Sequence, residues 1–143
     1  MEKVSNLFNI ALTMKEIQRS FKRFAGNLSL DVPMESVGIL LVIYYNKSEL
    51  IQQEIAEAVK KDKSAVLRHI DNLERKGLLQ RTSAINDRRR NVISITERGK
   101  QFISEINGKA NELFALLSDG LTVSEITTLN ALLTHLQNKA QNI

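Results

Sequence analysis

Residues 52–99, QQEIAEAVKKDKSAVLRHIDNLERKGLLQRTSAINDRRRNVISITERG, decide the fold. Gln52 to Val59 places Ile55, Ala56 and Val59 on one face, which predicts a short helix. Lys60-Lys61-Asp62 is a polar turn, and Asp62 can cap the next helix through a side-chain oxygen. That helix runs from about Lys63 to Lys76 and stops at Gly77, a suitable residue for the position after a helix end. Leu78 to Thr82 and Val92 to Ile95 read as two short strands, joined by a polar loop whose tip is Asn86-Asp87-Arg88-Arg89-Arg90-Asn91.

Working outward, Leu7, Ile10, Met14, Ile17, Phe21, Phe24 and Leu28 alternate steps of three and four, the stripe of a long amphipathic helix that Gly26-Asn27 frays or ends. Asp31-Val32-Pro33 predicts a turn into a second helix, because proline is tolerated in a first turn. Val37 to Tyr45 is β-branched enough for a buried strand, but Met34 to Lys47 is long for one and shows no alternation, so helix is the favoured reading. Gly38 is expected to mark a close helix crossing. After the hairpin, Thr96 caps a long helix from Glu97 with Phe102, Ile106, Ala110, Leu113 and Leu117 as its stripe. Asp119-Gly120 breaks it, and a last helix from Thr122 or Ser124 carries Ile126, Leu129, Leu132, Leu133 and Leu136.

The pattern predicts a mainly α protein with a small β-ribbon. At 143 residues, with 43% hydrophobic and 25% charged residues, it is expected to be one folded domain. The chain has no cysteine, which excludes disulfides, thiolate metal sites and thiol redox sensing. His69 and His135 are far apart and lack ligand-like spacing, so no metal or other cofactor is expected. No nucleophile–base set or phosphate loop is present, which argues against an enzyme. The N-terminus lacks a basic-then-apolar leader, and the longest apolar run is about half a membrane span, so a cytoplasmic protein with no membrane partner is expected.

Charge is unevenly placed. From Lys60 to Asn91 there are ten Lys/Arg against four Asp/Glu, a net +6, while the remainder is −2. Concentrated basicity is the footprint of a nucleic-acid binder, although a solvated basic face has the same composition. In the helix from Lys63, Val66, Ile70 and Leu73 share the side that packs inward. Ser64, Arg68 and Arg75 project from the opposite side, flanked by Asp71 and Asn72. Arg68 is placed to meet guanine O6 and N7 with two hydrogen bonds, worth about 1–3 kcal/mol of discrimination. In the hairpin, three consecutive arginines beside one aspartate are poor core material. Asp87 is expected to ion-pair with Arg89 and hold the loop in shape, and an arginine at the tip suits a narrow minor groove. Double-stranded DNA is therefore the expected polyanion, with a helix in the major groove and a loop in the minor groove.

Several motifs in order resemble the MarR (multiple antibiotic resistance regulator) family of winged-helix repressors. They are Gln53-Glu54-Ile55-Ala56, Asp62-Lys63-Ser64-Ala65-Val66-Leu67-Arg68, Leu73-Glu74-Arg75-Lys76-Gly77-Leu78-Leu79, Asp87-Arg88-Arg89 and Ile95-Thr96-Glu97-Arg98-Gly99. They cover about half the chain, and the flanking helices match the family's order and length. The resemblance implies a winged helix-turn-helix core over 34–99, with dimerisation helices over 1–30 and 100–143 in one domain. It implies a homodimer, which accounts for apolar stripes that one small domain cannot bury. It places Ser64, Ala65, Leu67 and Arg68 in the major groove and maps the family's wing pair onto Asp87 and Arg89, with Arg88 and Arg90 as further phosphate or minor-groove contacts. Ala65 and Leu67 stand where the family often has hydroxyls, and the usual proline before the wing tip is missing. The peroxide-sensing branch is excluded by the lack of cysteine.

The function implied is a dimeric, sequence-specific transcriptional regulator, a repressor reading a pseudo-palindrome. A protein-interaction module with a basic face for an acidic partner is the competing reading. The family's effectors are small aromatic or phenolic molecules held between dimer arms and reading head. Phe21, Phe24, Tyr44 and Tyr45 are the candidates for such a pocket, with core packing the favoured alternative. His69 is read as a packed or capping residue ahead of a DNA contact, and His135 as a surface or interface residue.

Overall fold

A computed structural model describes residues 5–29, 32–46 and 49–143. The chain divides into two compact units, Met1–Lys109 and Ala110–Ile143. In the first, α1 (Asn6–Ala25) ends at Gly26, whose φ of 53° leads into a 3-10 turn over Gly26–Ser29. Then come α2 (Met34–Tyr45), α3 (Gln52–Val59), α4 (Lys63–Arg75), β1 (Leu79–Ala84), β2 (Asp87–Ile95) and the start of α5 (Glu97–Leu117). The second unit holds the end of α5 and all of α6 (Val123–Ala140). Of the expected turn into α2, Asp31 lies outside the described residues.

α2 is apolar on nearly every side because it is surrounded. Val37, Ile39, Leu40 and Ile43 are buried, and Ile39 and Leu40 are fully so. A helix without a polar face is a core helix, which is why this segment shows neither alternation nor a clean stripe. Around it pack Ile55 and Ala56 of α3, Val66, Ile70 and Leu73 of α4, Leu78 and Leu79 at the ribbon's base, Ile93, and Phe102, Ile103 and Ile106 of α5. The expectation for Gly38 fails: a β-carbon there would meet nothing within 4 Å, so no neighbouring backbone demands a glycine.

Two chain reversals hold the helix-turn-helix. α3 closes with Lys60 in the left-handed region at φ 53°, its amide and that of Lys61 donating back to Glu57 and Ala56. α4 closes on Gly77 at φ 75°, where Leu78 N–H donates to Leu73 O at 2.9 Å and Gly77 N–H to Glu74 O at 2.9 Å. That double reversal is the Schellman ending for which glycine is suited. Thr96 then fastens α5: its hydroxyl donates to Gly77 O at 2.6 Å and accepts from Gly99 N–H at 3.0 Å. Gly99 is required by contact, since a β-carbon would lie 2.2 Å from Leu78 O.

The ribbon is longer than its apolar residues indicate. β1 and β2 pair antiparallel from Leu79↔Ile95 to Ser83↔Asn91, and then Ala84 pairs with Asp87. Only Ile85 and Asn86 form the turn, and Arg88, Arg89 and Arg90 are extra residues in the longer arm of a bulge. Exposed strand residues follow partners rather than polarity, so hydrophobicity could not locate the ends. Leu50 adds a single bridge, accepting from Ile93 N–H at 2.8 Å, which stitches the segment before α3 to the ribbon.

α6 begins at Thr122, which accepts from Glu125 N–H at 3.1 Å while Glu125 accepts from Thr122 N–H at 2.8 Å, a capping box. α6 has no buried residue. In the other unit α1 buries only Ala25 and exposes Leu7, Phe8, Leu12 and Met14.

Candidate nucleic-acid interface

α4 has one face fixed in the core and one free. Val66, Ile70 and Leu73 are fully buried at steps of four and three. Helical geometry then turns Ser64, Leu67, Arg68 and Arg75 outward, all exposed, with Ala65 half-buried at the edge. Asp62 caps the helix, its carboxylate accepting from Ala65 N–H at 2.7 Å. Gln52 Nε2 donates to Lys63 O at 3.4 Å, and Lys63 Nζ to Gln53 Oε1 at 3.4 Å, tying the start of α4 to α3.

The wing is locked to α4 by Arg81. Its guanidinium donates to Asp71 Oδ1 at 2.6 Å and Glu74 Oε1 at 2.8 Å, and its amide donates to Glu74 Oε2 at 3.0 Å. Burial opposes the charge on Arg81, but the hydrogen bonds it donates to Asp71 and Glu74, with their negative charge, outweigh it and hold the pKa above the ordinary arginine value. Sequence counting included Arg81 among the basic residues without seeing this strut. Asp71 and Glu74 lie one turn apart on α4, which brings two carboxylates to one guanidinium.

At the tip, Asp87 does not act as expected. Its carboxylate accepts from the backbone N–H of Arg89 at 2.9 Å and makes no ion pair with a described residue. A short acceptor two residues before a backbone donor forms this local turn more readily than it reaches a long guanidinium. Arg90 turns back to Glu54 of α3 at 3.7 Å while half-exposed. Glu54 also accepts from Ile51 N–H at 2.9 Å, so one carboxylate steadies the start of α3 and the wing. Arg68, Arg75, Arg88 and Arg89 form no ion pair with any described residue. Ile85, in the turn, is 91% exposed, an apolar tip that the sequence reading passed over.

His69 is a packed residue. Its Nδ1 lies 2.7 Å from Ser36 Oγ, and its Nε2 lies 3.2 Å from Glu35 Oε2, both on the first turn of α2. Lys61 Nζ reaches the other Glu35 oxygen at 3.3 Å. Hydrogen bonding from Lys61 holds the Glu35 carboxyl below its ordinary pKa, with His69 adding a smaller push the same way.

A cavity of about 450 Å³ lies beside that turn, lined by Phe21, Lys22 and Ala25 of α1, Met34 and Val37 of α2 and Ile106 of α5. Of the four aromatic candidates only Phe21 lines it. Phe24 sits under Lys109 Nζ, 5.5 Å from the ring centroid. Tyr44 and Tyr45 form an edge-to-face pair with centroids 5.0 Å apart and are exposed. The reason is distance along the helix: Met34 and Val37 are near the start of α2 and the tyrosines are at its end, roughly 10–17 Å away at 1.5 Å per residue. Among the described residues no group of acidic or histidine side chains could hold a metal ion.

Residues 30–90 match the model of the MarR family. The fold is that of solved winged-helix proteins along nearly all of the chain. A structure of MarR is 24% identical with a TM-score of 0.75, covering 97% of this chain and 100% of that one. A MepR mutant from S. aureus bound to an oligodeoxyribonucleotide is 25% identical with a TM-score of 0.62, covering 92% and 97%. S. aureus MepR bound to ethidium bromide is 26% identical with a TM-score of 0.61, covering 95% and 99%.

Proposed function

We propose, from the premise that this chain carries the MarR-family winged helix, that it is a homodimeric, sequence-specific DNA-binding transcriptional regulator and a repressor. One observation carries the reading: α4 and the wing, locked together by Arg81, each present arginines that no carboxylate of a described residue neutralises, Arg68 and Arg75 on one and Arg88 and Arg89 on the other. Ser64, Ala65, Leu67 and Arg68 read base edges in the major groove. Arg88 and Arg89 enter the minor groove beside the site, where the potential is most negative. Asp87 orients Arg89 by shaping the backbone, and Arg90 steadies the wing from Glu54 while half-exposed to phosphate. A MepR structure holding an oligodeoxyribonucleotide supports this use of the fold.

The dimer is formed by residues 1–30 and 100–143. Leu7, Phe8, Leu12 and Met14 on α1, and Leu132, Leu133 and Leu136 on α6, are apolar and exposed in the single chain. Exposed apolar side chains gathered along helices mark association surfaces. A small aromatic effector, held in the α1–α2–α5 cavity, releases the operator by favouring one dimer shape over another. A volume of about 450 Å³ suits such a molecule, and a MepR structure contains ethidium.

The test is selection of bound sites from random duplex DNA by the full chain at two salt concentrations. An enriched inverted repeat with half-sites about one turn apart is the expected result. Weak, salt-sensitive binding with no enrichment would overturn sequence-specific reading and leave the basic face to an acidic protein partner.

A further inference from the structure

The first turn of α2 has two faces. Met34 and Val37 line the cavity. Glu35 and Ser36, between them in sequence, hold His69 in the middle of α4. Pro33 at the N-cap of this turn provides no side-chain cap. The imidazole is held at both ends. Glu35 is a carboxylate with no proton to give, so Nε2 carries the hydrogen directed at it. In the neutral ring Nδ1 therefore accepts from the Ser36 hydroxyl, which is fully buried. A buried hydroxyl deprived of this acceptor costs free energy, so the two groups move together.

α4 is held at both ends. Asp71 and Glu74, in its later half, are clamped by Arg81. Ser64, Leu67 and Arg68 lie before His69. Gln52 and Gln53 tie the start of α4 to α3, so a push at His69, between the two attachments, is passed to the helix that carries Ser64, Leu67 and Arg68.

We infer that Ser36 and His69 are positioning residues that link the cavity to the reading face of α4: filling the cavity displaces the first turn of α2, and their hydrogen bond carries that displacement into α4. The inference rests on the DNA-reading assignment of α4, and it names the residues through which an effector would act.

Cavity-filling substitutions serve as the probe, so no ligand need be known. Ala25→Met and Gln18→Phe each add bulk to the lining, one from a buried position and one from an exposed one that folding tolerates. In the otherwise unchanged chain, either should weaken binding to the selected duplex roughly tenfold, an ordinary strength for linked sites. In a Ser36→Ala background the same filling should weaken it less than about twofold further. His69→Asn, whose amide oxygen takes the place of Nδ1, should keep the response, and His69→Gln, which reaches only toward Glu35, should lose it. A merely structural role would not separate those two amides. Equal weakening in both backgrounds would overturn the inference.

A second readout needs no DNA. The imidazole nitrogen resonances of His69 should report a hydrogen-bonded Nδ1 and shift when the cavity is filled. Unchanged resonances would overturn the link even if operator binding stood. A shift in a chain that selects no duplex sequence would instead leave the link standing and remove the DNA assignment.

Discussion

In α4, the inward side chains Val66, Ile70 and Leu73 have no solvent exposure, and the helix is pinned by the Asp62 cap, the Ser36–His69 contact and the Arg81 clamp. Toward its base the wing is fastened by Arg81 and the Leu50–Ile93 bridge, with Arg90 leaning on Glu54 partway out. Beyond that, Ile85, Arg88 and Arg89 face solvent. The difference teaches that arginines alike in sequence have opposite roles. Arg81 is paired within the protein and ties the ribbon to α4, whereas Arg88 and Arg89 pair with no carboxylate of a described residue. A count of basic residues overstates the unpaired charge by the cations the fold has already used.

The largest break in that comparison comes from α4's buried face. Leu73→Ala should cost about 2–5 kcal/mol of stability, read as an earlier urea midpoint, because a fully buried leucine leaves a cavity. A loss near zero would mean that α4 is not seated as described. The outward arginines should behave oppositely. Arg68→Ala and Arg89→Ala should leave the unfolding midpoint unchanged and each weaken duplex binding by about 1–3 kcal/mol. They should also differ from one another. Arg68→Ala relaxes base preference at one position per half-site, and Arg89→Ala lowers the salt slope by about one without changing preference. A stability loss in either would place that arginine with Arg81.

Arg81→Ala sharpens the comparison from the other side. It should destabilise by about 1–2 kcal/mol, discounted for partial exposure, since two carboxylates on α4 lose their partner. It should also loosen the wing against proteolysis, and Arg88→Ala should do neither. Asp62→Ala should cost about 1 kcal/mol through the lost cap, measured by the same denaturant titration. The smallest effect lies at Glu35. Its folded pKa is lowered below 4.5, chiefly by the Lys61 hydrogen bond. The stability it contributes is therefore present above the unfolded value and lost as pH falls through the folded one. The wild-type advantage over Glu35→Gln should be visible near neutrality and fade as pH falls below the ordinary glutamate range.

Most elements were legible because their signals are local. Asp62, Gly77, Thr96 and Thr122 sit where helix ends need a cap or a left-handed residue, and periodicity supplied the buried faces of α3 and α4. The failures share another cause. The ends of the ribbon, the role of Asp87 and the lining of the cavity depend on which residues become neighbours after folding. The aromatic candidates Phe24, Tyr44 and Tyr45 are sound choices by residue type, yet each found a different partner or solvent.

Taken alone, the sequence determined a helix-turn-helix followed by an arginine-rich hairpin between long amphipathic helices, and so a concentrated basic region. Those features follow from hydrophobic period, capping chemistry and charge placement, all set within a few residues. Tertiary structure alone decided that Arg81 clamps Asp71 and Glu74, that Arg90 finds Glu54, and that His69 bridges α4 to the edge of a cavity. These contacts join residues 7 to 36 positions apart. Their selection depends on packing geometry, because a guanidinium or an imidazole can satisfy many carboxylates and hydroxyls and only the folded core brings one set within hydrogen-bond reach.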